Sequence, residues 1–192
     1  MYKKVFALLF LLSSFQLLIA QTSLLKNFPE GYTPDEIGRR IAYRFVTEKH
    51  ALHAGKWIGY PETFYWNGSL KYAAAAKDKA LIKLLQARFE HLFTTEKALL
   101  PIKNHVDLNM FGSLPLELYW VTKDERYKEL GLPYADTQWE VPADAKPEEK
   151  EWAEKGYSWQ TRLWIDDMYM ITIVQTHAYK VTNDSKYIDR AA

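Results

Sequence analysis

The chain has 192 residues, with 25 Lys and Arg against 24 Asp and Glu, and it contains no cysteine. The lack of cysteine excludes disulfides, thiolate metal ligands and a thiol nucleophile. Because no basic block is present, neither nucleic acid nor an anionic membrane surface is an expected partner. Aromatic residues make up 15% of the chain, which fits either stacking on sugar rings or an aromatic core.

Residues 1–20 have the layout of a bacterial signal peptide. Lys3 and Lys4 precede an apolar run, and Ala20 is a small residue suited to cleavage. The apolar run is too short and too interrupted to be a good membrane-spanning helix. We therefore expect an exported protein, periplasmic or extracellular, whose mature chain is residues 21–192 and is not held by a membrane.

Apolar residues recur at helical spacing through most of the remaining sequence, while alternation of period two is scarcely visible. We therefore predict an all-α protein. The predicted helices cover 34–48, 67–96 (two helices that meet near residue 78), 112–122 and 162–182.

Three helix ends resemble one another: "YAAAAKDKAL", "LYWVTKDERY" and "AYKVTNDSKY". Each places an Asp where it can cap the next helix, at Asp78, Asp124 and Asp184. We interpret each copy as the elbow of an α-hairpin, and stacked hairpins need neighbours to bury their apolar faces. The segment 132–160 is predicted to be a long loop over one end of the helices.

The stretch "RLWIDDMYM" places two adjacent acids, Asp166 and Asp167, among aromatic and aliphatic side chains near a helix start. They could simply complement the helix dipole. Since successive helical residues do not share a face, one carboxylate could instead point inward and the other to solvent. An inward carboxyl under aromatic walls favours its protonated form, as a general acid requires. Asp107, in "KNHVDLNMFG", is either a helix cap or a neighbouring charge for this acid.

The stretch "ETFYWNGSL" puts Tyr65 and Trp66 just before a helix predicted to start near Gly68. This aromatic pair could stack on a sugar or pack in the core. Two of the dispersed histidines, His50 and His53, stand at i and i+3, but no third ligand is near in sequence. Neither a metal nor a cofactor is expected.

These residues resemble the unsaturated glycuronyl and rhamnogalacturonyl hydrolases of glycoside hydrolase families 88 and 105. The shared motif is Trp-x-Asp-(Asp/Gly)-x-(Tyr/Phe)-Met, here residues 164–170. "YWNG" is similar to an early aromatic element of these families, and "HVDLNMFGSLPLELY" to their (Asn/His)-Val-Asp segment. The resemblance implies an (α/α)6 toroid, of which this chain would be an incomplete N-terminal portion of about three hairpins.

The resemblance also implies the reaction: removal of the unsaturated uronic acid from the non-reducing end of lyase-generated, pectin-like oligosaccharides by hydration of a C4=C5 vinyl ether. Asp166 would be the general acid/base and Asp107 would hold sugar hydroxyls or water. Asp167 would be a supporting or solvent-facing residue. The positions that match the sugar subsite are Trp164, Met170 and Tyr65, with Trp66 and His105 as neighbours.

Two alternatives remain open at the level of sequence. One is a non-catalytic helical-repeat module that binds glycans or proteins. The other is a different six-hairpin enzyme, such as a sugar epimerase or an inverting glycosidase, which would need His or Glu bases in the hairpin mouths.

Overall fold

The computed structural model describes residues 26–192, so the predicted signal peptide lies outside the described residues. The described chain divides into two units, residues 26–37 and 38–192. In the first unit a capping box starts helix α1 (Pro34–Thr47): Thr33 N donates to Glu36 Oε2 (3.0 Å), and Glu36 N donates to Thr33 Oγ1 (3.2 Å). Within residues 26–192, no helix has both the length and the apolar character to cross a bilayer.

Helices dominate the described chain, which confirms the all-α prediction; one small antiparallel pair of strands pairs Leu52 with Ile58. The elements are α1 (Pro34–Thr47), β1 (Leu52–His53), β2 (Trp57–Ile58), α2 (Tyr60–Ala75), α3 (Lys79–Glu90), α4 (Val106–Asn109), α5 (Ser113–Thr122), α6 (Glu125–Asp136), α7 (Pro147–Glu154), α8 (Ile165–Thr182) and α9 (Ser185–Ala191). Short 3-10 turns cover His91–Phe93, Lys97–Leu99 and Met110–Gly112.

The larger unit contains three helical hairpins, α2/α3, α5/α6 and α8/α9. Their first helices pack side by side, α2 on α5 and α5 on α8, so the hairpins are stacked in chain order. This is the arrangement that the repeated elbow sequence predicts.

The three elbows share one local geometry. At each elbow a residue in the left-handed region is followed by an Asp that caps the next helix, as the repeat predicts. The left-handed residues are Lys77 (φ 56°), Lys123 (φ 62°) and Asn183 (φ 59°). The capping carboxylates accept from Leu81 N at 3.0 Å, Arg126 N at 3.1 Å and Lys186 N at 3.0 Å.

The second helices of the hairpins are also held in register by a repeated contact. Buried Tyr127 donates its hydroxyl proton to Glu90, the last residue of α3. Tyr187, one hairpin later, donates to Asp136 Oδ1 at 3.1 Å, and Asp136 is the last residue of α6. Each tyrosine lies three residues after its capping Asp, so the elbow also sets the register between neighbouring hairpins.

Several predicted helix boundaries are wrong, and the largest differences are at the start of α2 and in the segment 132–160. Helix α2 begins at Tyr60, eight residues before the predicted start, because Gly59 is extended and Pro61 suits the first helical turn. The segment 132–160 is not one loop, since α6 continues to Asp136 and α7 forms within it.

Many of the aromatic residues pack in the core. Trp66 and Phe89 meet edge to face at 5.5 Å, and Phe89 stacks on Phe111 at 5.9 Å. All three are at most 1% exposed. The aromatic composition is therefore explained in part by packing.

Gly112 lies where two segments approach closely. A Cβ atom at this position would lie 2.4 Å from the Cβ atom of Tyr134, which is too short for any side chain. Gly112 follows directly after the segment that carries Asp107, so this close approach helps to fix the position of that carboxylate.

A buried ionic cluster joins α5 to α8. Glu117 Oε2 lies 3.1 Å from His177 Nε2 and 3.2 Å from Lys180 Nζ. The Nδ1 atom of His177 carries a proton, because its partner at 2.7 Å is the carbonyl of Ile173. Burial alone would raise the pKa of Glu117, but His177 and Lys180 outweigh this effect and hold that pKa at about 2.

We expect Gly112→Ala to destabilise the protein by about 1–3 kcal/mol, because the added methyl group has no space against α6. Gly68 in α2 provides the matched control, since a Cβ there meets nothing within 4 Å. Gly68→Ala should stabilise by about 0.5–1 kcal/mol. Urea unfolding of both variants tests this, and equal effects would contradict the close approach.

Protonation of Glu117 should weaken the α5–α8 contact. Its folded pKa of about 2 lies below the ordinary 4.5, so its contribution is complete above about pH 4.5 and is lost as the pH falls towards 2. The contribution is at most about 3 kcal/mol. Glu117→Gln should therefore be less stable than the native protein at pH 7, with the difference shrinking towards pH 2 in urea titrations. A pH-independent difference would exclude this linkage.

Candidate active site

The start of α8 is built on an unusual turn. Leu163 adopts φ 57°, a left-handed conformation that is rare for a branched residue. The turn brings Arg162 back over the helix, where its backbone N donates to Asp167 Oδ2 at 2.6 Å. The N of Trp164 donates to the same oxygen at 3.4 Å. Asp167 therefore caps the helix, which begins at Ile165 and not at the predicted residue 162.

The two adjacent acids have opposite environments. The Asp167 side chain is 1% exposed and the Asp166 side chain is 49% exposed. One inward and one outward carboxylate were expected, as the structure has them. The expectation that Asp166 is the inward one, under aromatic side chains, is wrong. The reason is the capping turn, which requires the third residue of the helix, Asp167, to face the backbone of the turn.

A single guanidinium binds two carboxylates and approaches a third. Arg162 Nη2 lies 3.0 Å from Asp107 Oδ1, and Arg162 Nε lies 3.1 Å from Asp167 Oδ1. The same Nη2 lies 3.9 Å from Asp166 Oδ2, which is beyond hydrogen-bonding distance. Sequence reasoning gave Arg162 no role, although its position four residues before Asp166 was a possible signal.

Asp107 lies in the first turn of the short helix α4. His105 Nδ1 accepts a hydrogen bond from Asp107 N at 3.2 Å, so the proton of the neutral ring is on Nε2. Burial lowers the pKa of His105, and the charge of Asp107 opposes this only in part. Buried Asn109 anchors the segment, because its amide donates to Tyr134 O and to Thr137 Oγ1, both at 2.9 Å.

Aromatic side chains lie next to this cluster. The ring of Trp164 is 4.2 Å from the Arg162 guanidinium carbon, and Trp164 remains 58% exposed. Tyr169, in the next turn of α8, stacks on Phe64 of α2 at 5.1 Å. Trp164 and Tyr169 are therefore partly exposed rings of the kind on which sugars stack.

Two predicted sugar-contacting residues are not available to a ligand. Trp66 is completely buried, and Met170 is 2% exposed. Trp66 is in the core because α2 begins earlier than predicted, so Tyr65 and Trp66 lie within the helix and point in different directions. Tyr65 keeps 37% exposure but lines a different groove, with Arg44 and Glu62. The structure thus places Asp107, Asp166 and Trp164 around Arg162, with His105 next to Asp107, and leaves the other three aside.

The three acids differ in how firmly they are held. Asp107 and Asp167 are both hydrogen-bonded to Arg162. Asp166 accepts no hydrogen bond from another residue within 26–192 and is half exposed. The Asp166 carboxyl is therefore accessible to a ligand, whereas Arg162 holds the carboxyls of Asp107 and Asp167 in place. Over the same residues, no three acidic or histidine side chains are grouped so as to hold a metal ion.

Comparison with known proteins gives one finding. No curated protein and no solved structure matches the chain. The model of one protein family, Glycosyl Hydrolase Family 88, matches residues 35–192, which is most of the chain and includes the three hairpins and the acidic cluster. That family contains glycosidases, so the substrate is a carbohydrate. The chain belongs to Glycosyl Hydrolase Family 88.

Proposed function

We propose that this glycosidase removes an unsaturated uronic acid from the non-reducing end of oligosaccharides that polysaccharide lyases produce, and that it does so after export. The observation that carries the proposal is the half-exposed carboxyl of Asp166, which lies 3.9 Å from Arg162 Nη2, the same nitrogen that binds Asp107 at 3.0 Å. Export rests on the leader-like sequence of residues 1–20.

Vinyl ether hydration requires one group that acts first as an acid and then as a base. In the proposed reaction, protonated Asp166 gives its proton to C4 of the sugar, and the positive charge develops at C5. The resulting carboxylate takes a proton from the water that adds to C5. The C5 hemiketal then opens by breaking its bond to the ring oxygen. The hemiacetal left at C1 releases the remaining sugar as an alcohol, so one water is consumed and Asp166 is protonated again.

The state of Asp107 argues against direct displacement at the anomeric carbon. That scheme needs a second carboxylate that is free to act as nucleophile or base. Asp107 Oδ1 is instead occupied by Arg162 at 3.0 Å, and its side chain is only 14% exposed. A paired anion of this kind suits a group that holds hydroxyls or the attacking water. Trp164, held by its contact with Arg162, would present a ring face to the sugar.

Asp166→Asn should lower kcat at least about 100-fold, because the amide can neither donate nor accept the catalytic proton. Activity is followed as loss of the ultraviolet absorbance of the conjugated uronate in lyase-treated pectin fragments. Since the side chain is half exposed, thermal unfolding should be nearly unchanged.

The matched control for this variant is Glu125→Gln, which removes another exposed first-turn acid, in α6. It should retain native activity. Full turnover by Asp166→Asn would remove Asp166 from the mechanism.

Arg162→Lys should lower stability and activity together, because an ammonium cannot reproduce the fork that reaches both Asp107 and Asp167. Weakening the pair with buried Asp167 should cost up to about 3 kcal/mol. Chemical denaturation and initial rates measured on the same preparation test this. A variant with native stability would contradict a positioning role for Arg162.

A further inference from the structure

A cavity of about 360 Å³ lies directly beside Arg162, which binds Asp107 and Asp167. One part of its lining is His105, Arg162 and Trp164, which belong to the candidate active site. Another part comes from the segment between α6 and α8 and includes Trp152 and Gln160. Because Arg162 lines the cavity and also lies 3.9 Å from Asp166 Oδ2, a ligand whose reacting sugar is at Asp166 would have this cavity within reach of its next sugar.

Gln160 is unusual among the residues that line the cavity. It is 6% exposed, and neither the oxygen nor the nitrogen of its side-chain amide has a hydrogen-bond partner within the described chain. Unpaired buried amide groups are destabilising and therefore uncommon. A carboxamide pairs well with sugar hydroxyls, because its oxygen accepts and its nitrogen donates.

The backbone around Gln160 is fixed by its neighbours. Trp159 Nε1 donates to Thr137 O at 2.7 Å, and Ser158 Oγ donates to Gln138 O at 2.8 Å. The N of Gln160 itself donates to Ser158 Oγ at 3.2 Å. The unpaired amide is therefore attached to a rigid support, which reduces the ordering cost of binding a ligand.

We propose that this cavity is the subsite for the sugar attached to the unsaturated uronate, and that the Gln160 amide binds the hydroxyl groups of that sugar. The inference rests on the proposed function and extends it to the neighbouring residue of the substrate. Trp152 is half buried and lines the same cavity, so it would supply an apolar ring surface for that sugar.

The charges of the lining indicate a neutral sugar. Its two cations are already paired: Lys146 Nζ lies 3.5 Å from Glu149 Oε1, and Arg162 is bonded to Asp107 and Asp167. The lining therefore has no unpaired cation that could bind a sulfate or a second carboxylate. Either group would add uncompensated negative charge.

The test compares Gln160→Met with Gln175→Met. Gln175 is also a buried amide, but its nitrogen donates to Ala135 O and to Gln138 Oε1, both at 2.8 Å. The probes are two unsaturated uronyl disaccharides, one ending in a neutral hexose and one ending in a uronic acid. For Gln160→Met we expect KM for the neutral disaccharide to rise about tenfold, with little change in kcat and no loss of Tm. For Gln175→Met we expect a lower Tm and an unchanged KM.

Three results would overturn the subsite. They are an unchanged KM in Gln160→Met, a Tm loss like that of Gln175→Met, or a native preference for the disaccharide that ends in a uronic acid. If the native protein does not turn over either disaccharide, the proposed function fails, but the subsite is still decided by calorimetry. Binding of the neutral disaccharide that is about tenfold weaker in Gln160→Met supports the subsite, and equal binding excludes it.

Discussion

The candidate active site depends on one guanidinium that is shared by carboxylates from two distant segments. Arg162 joins Asp107, which follows the first hairpin, to Asp167 at the start of the third. Three acids so close together would repel one another without a cation between them. Because Arg162 bonds to Asp107 and Asp167 and only approaches Asp166, it holds two of the carboxyls in place and leaves the third half exposed.

The fold could be predicted from sequence because its determinants are local. A left-handed residue followed by a capping Asp, as at Asn183 and Asp184, is set by a few neighbouring residues and can be recognised in each copy of the repeat. The start of α2 could not be placed in this way. Pro61 after an extended Gly59 is a weaker signal than the Asn67-Gly68 pair, which resembles a helix boundary but lies inside the helix.

The site was predicted less completely, because its geometry depends on contacts between segments. The sequence motif identified Asp166 and Asp107 as candidates, and both lie at Arg162. Which of the two adjacent acids turns inward depends on the backbone at Leu163. Its left-handed conformation could not be predicted from the residue type. The burial of Trp66 depends in the same way on side chains from two other helices, Phe45 of α1 and Phe89 of α3.

One short segment carries both the proposed chemistry and the proposed selectivity. Gln160 and Asp166 are six residues apart, with Arg162 between them. The first half of this segment is bonded to the end of α6 through Trp159, and the second half is bonded to α4 through Arg162. Because these anchors are separate, cavity side chains other than Arg162 can change without disturbing the carboxylates. The segment before α8 is thus the part of the chain in which substrate preference can vary while the acid/base residue keeps its position.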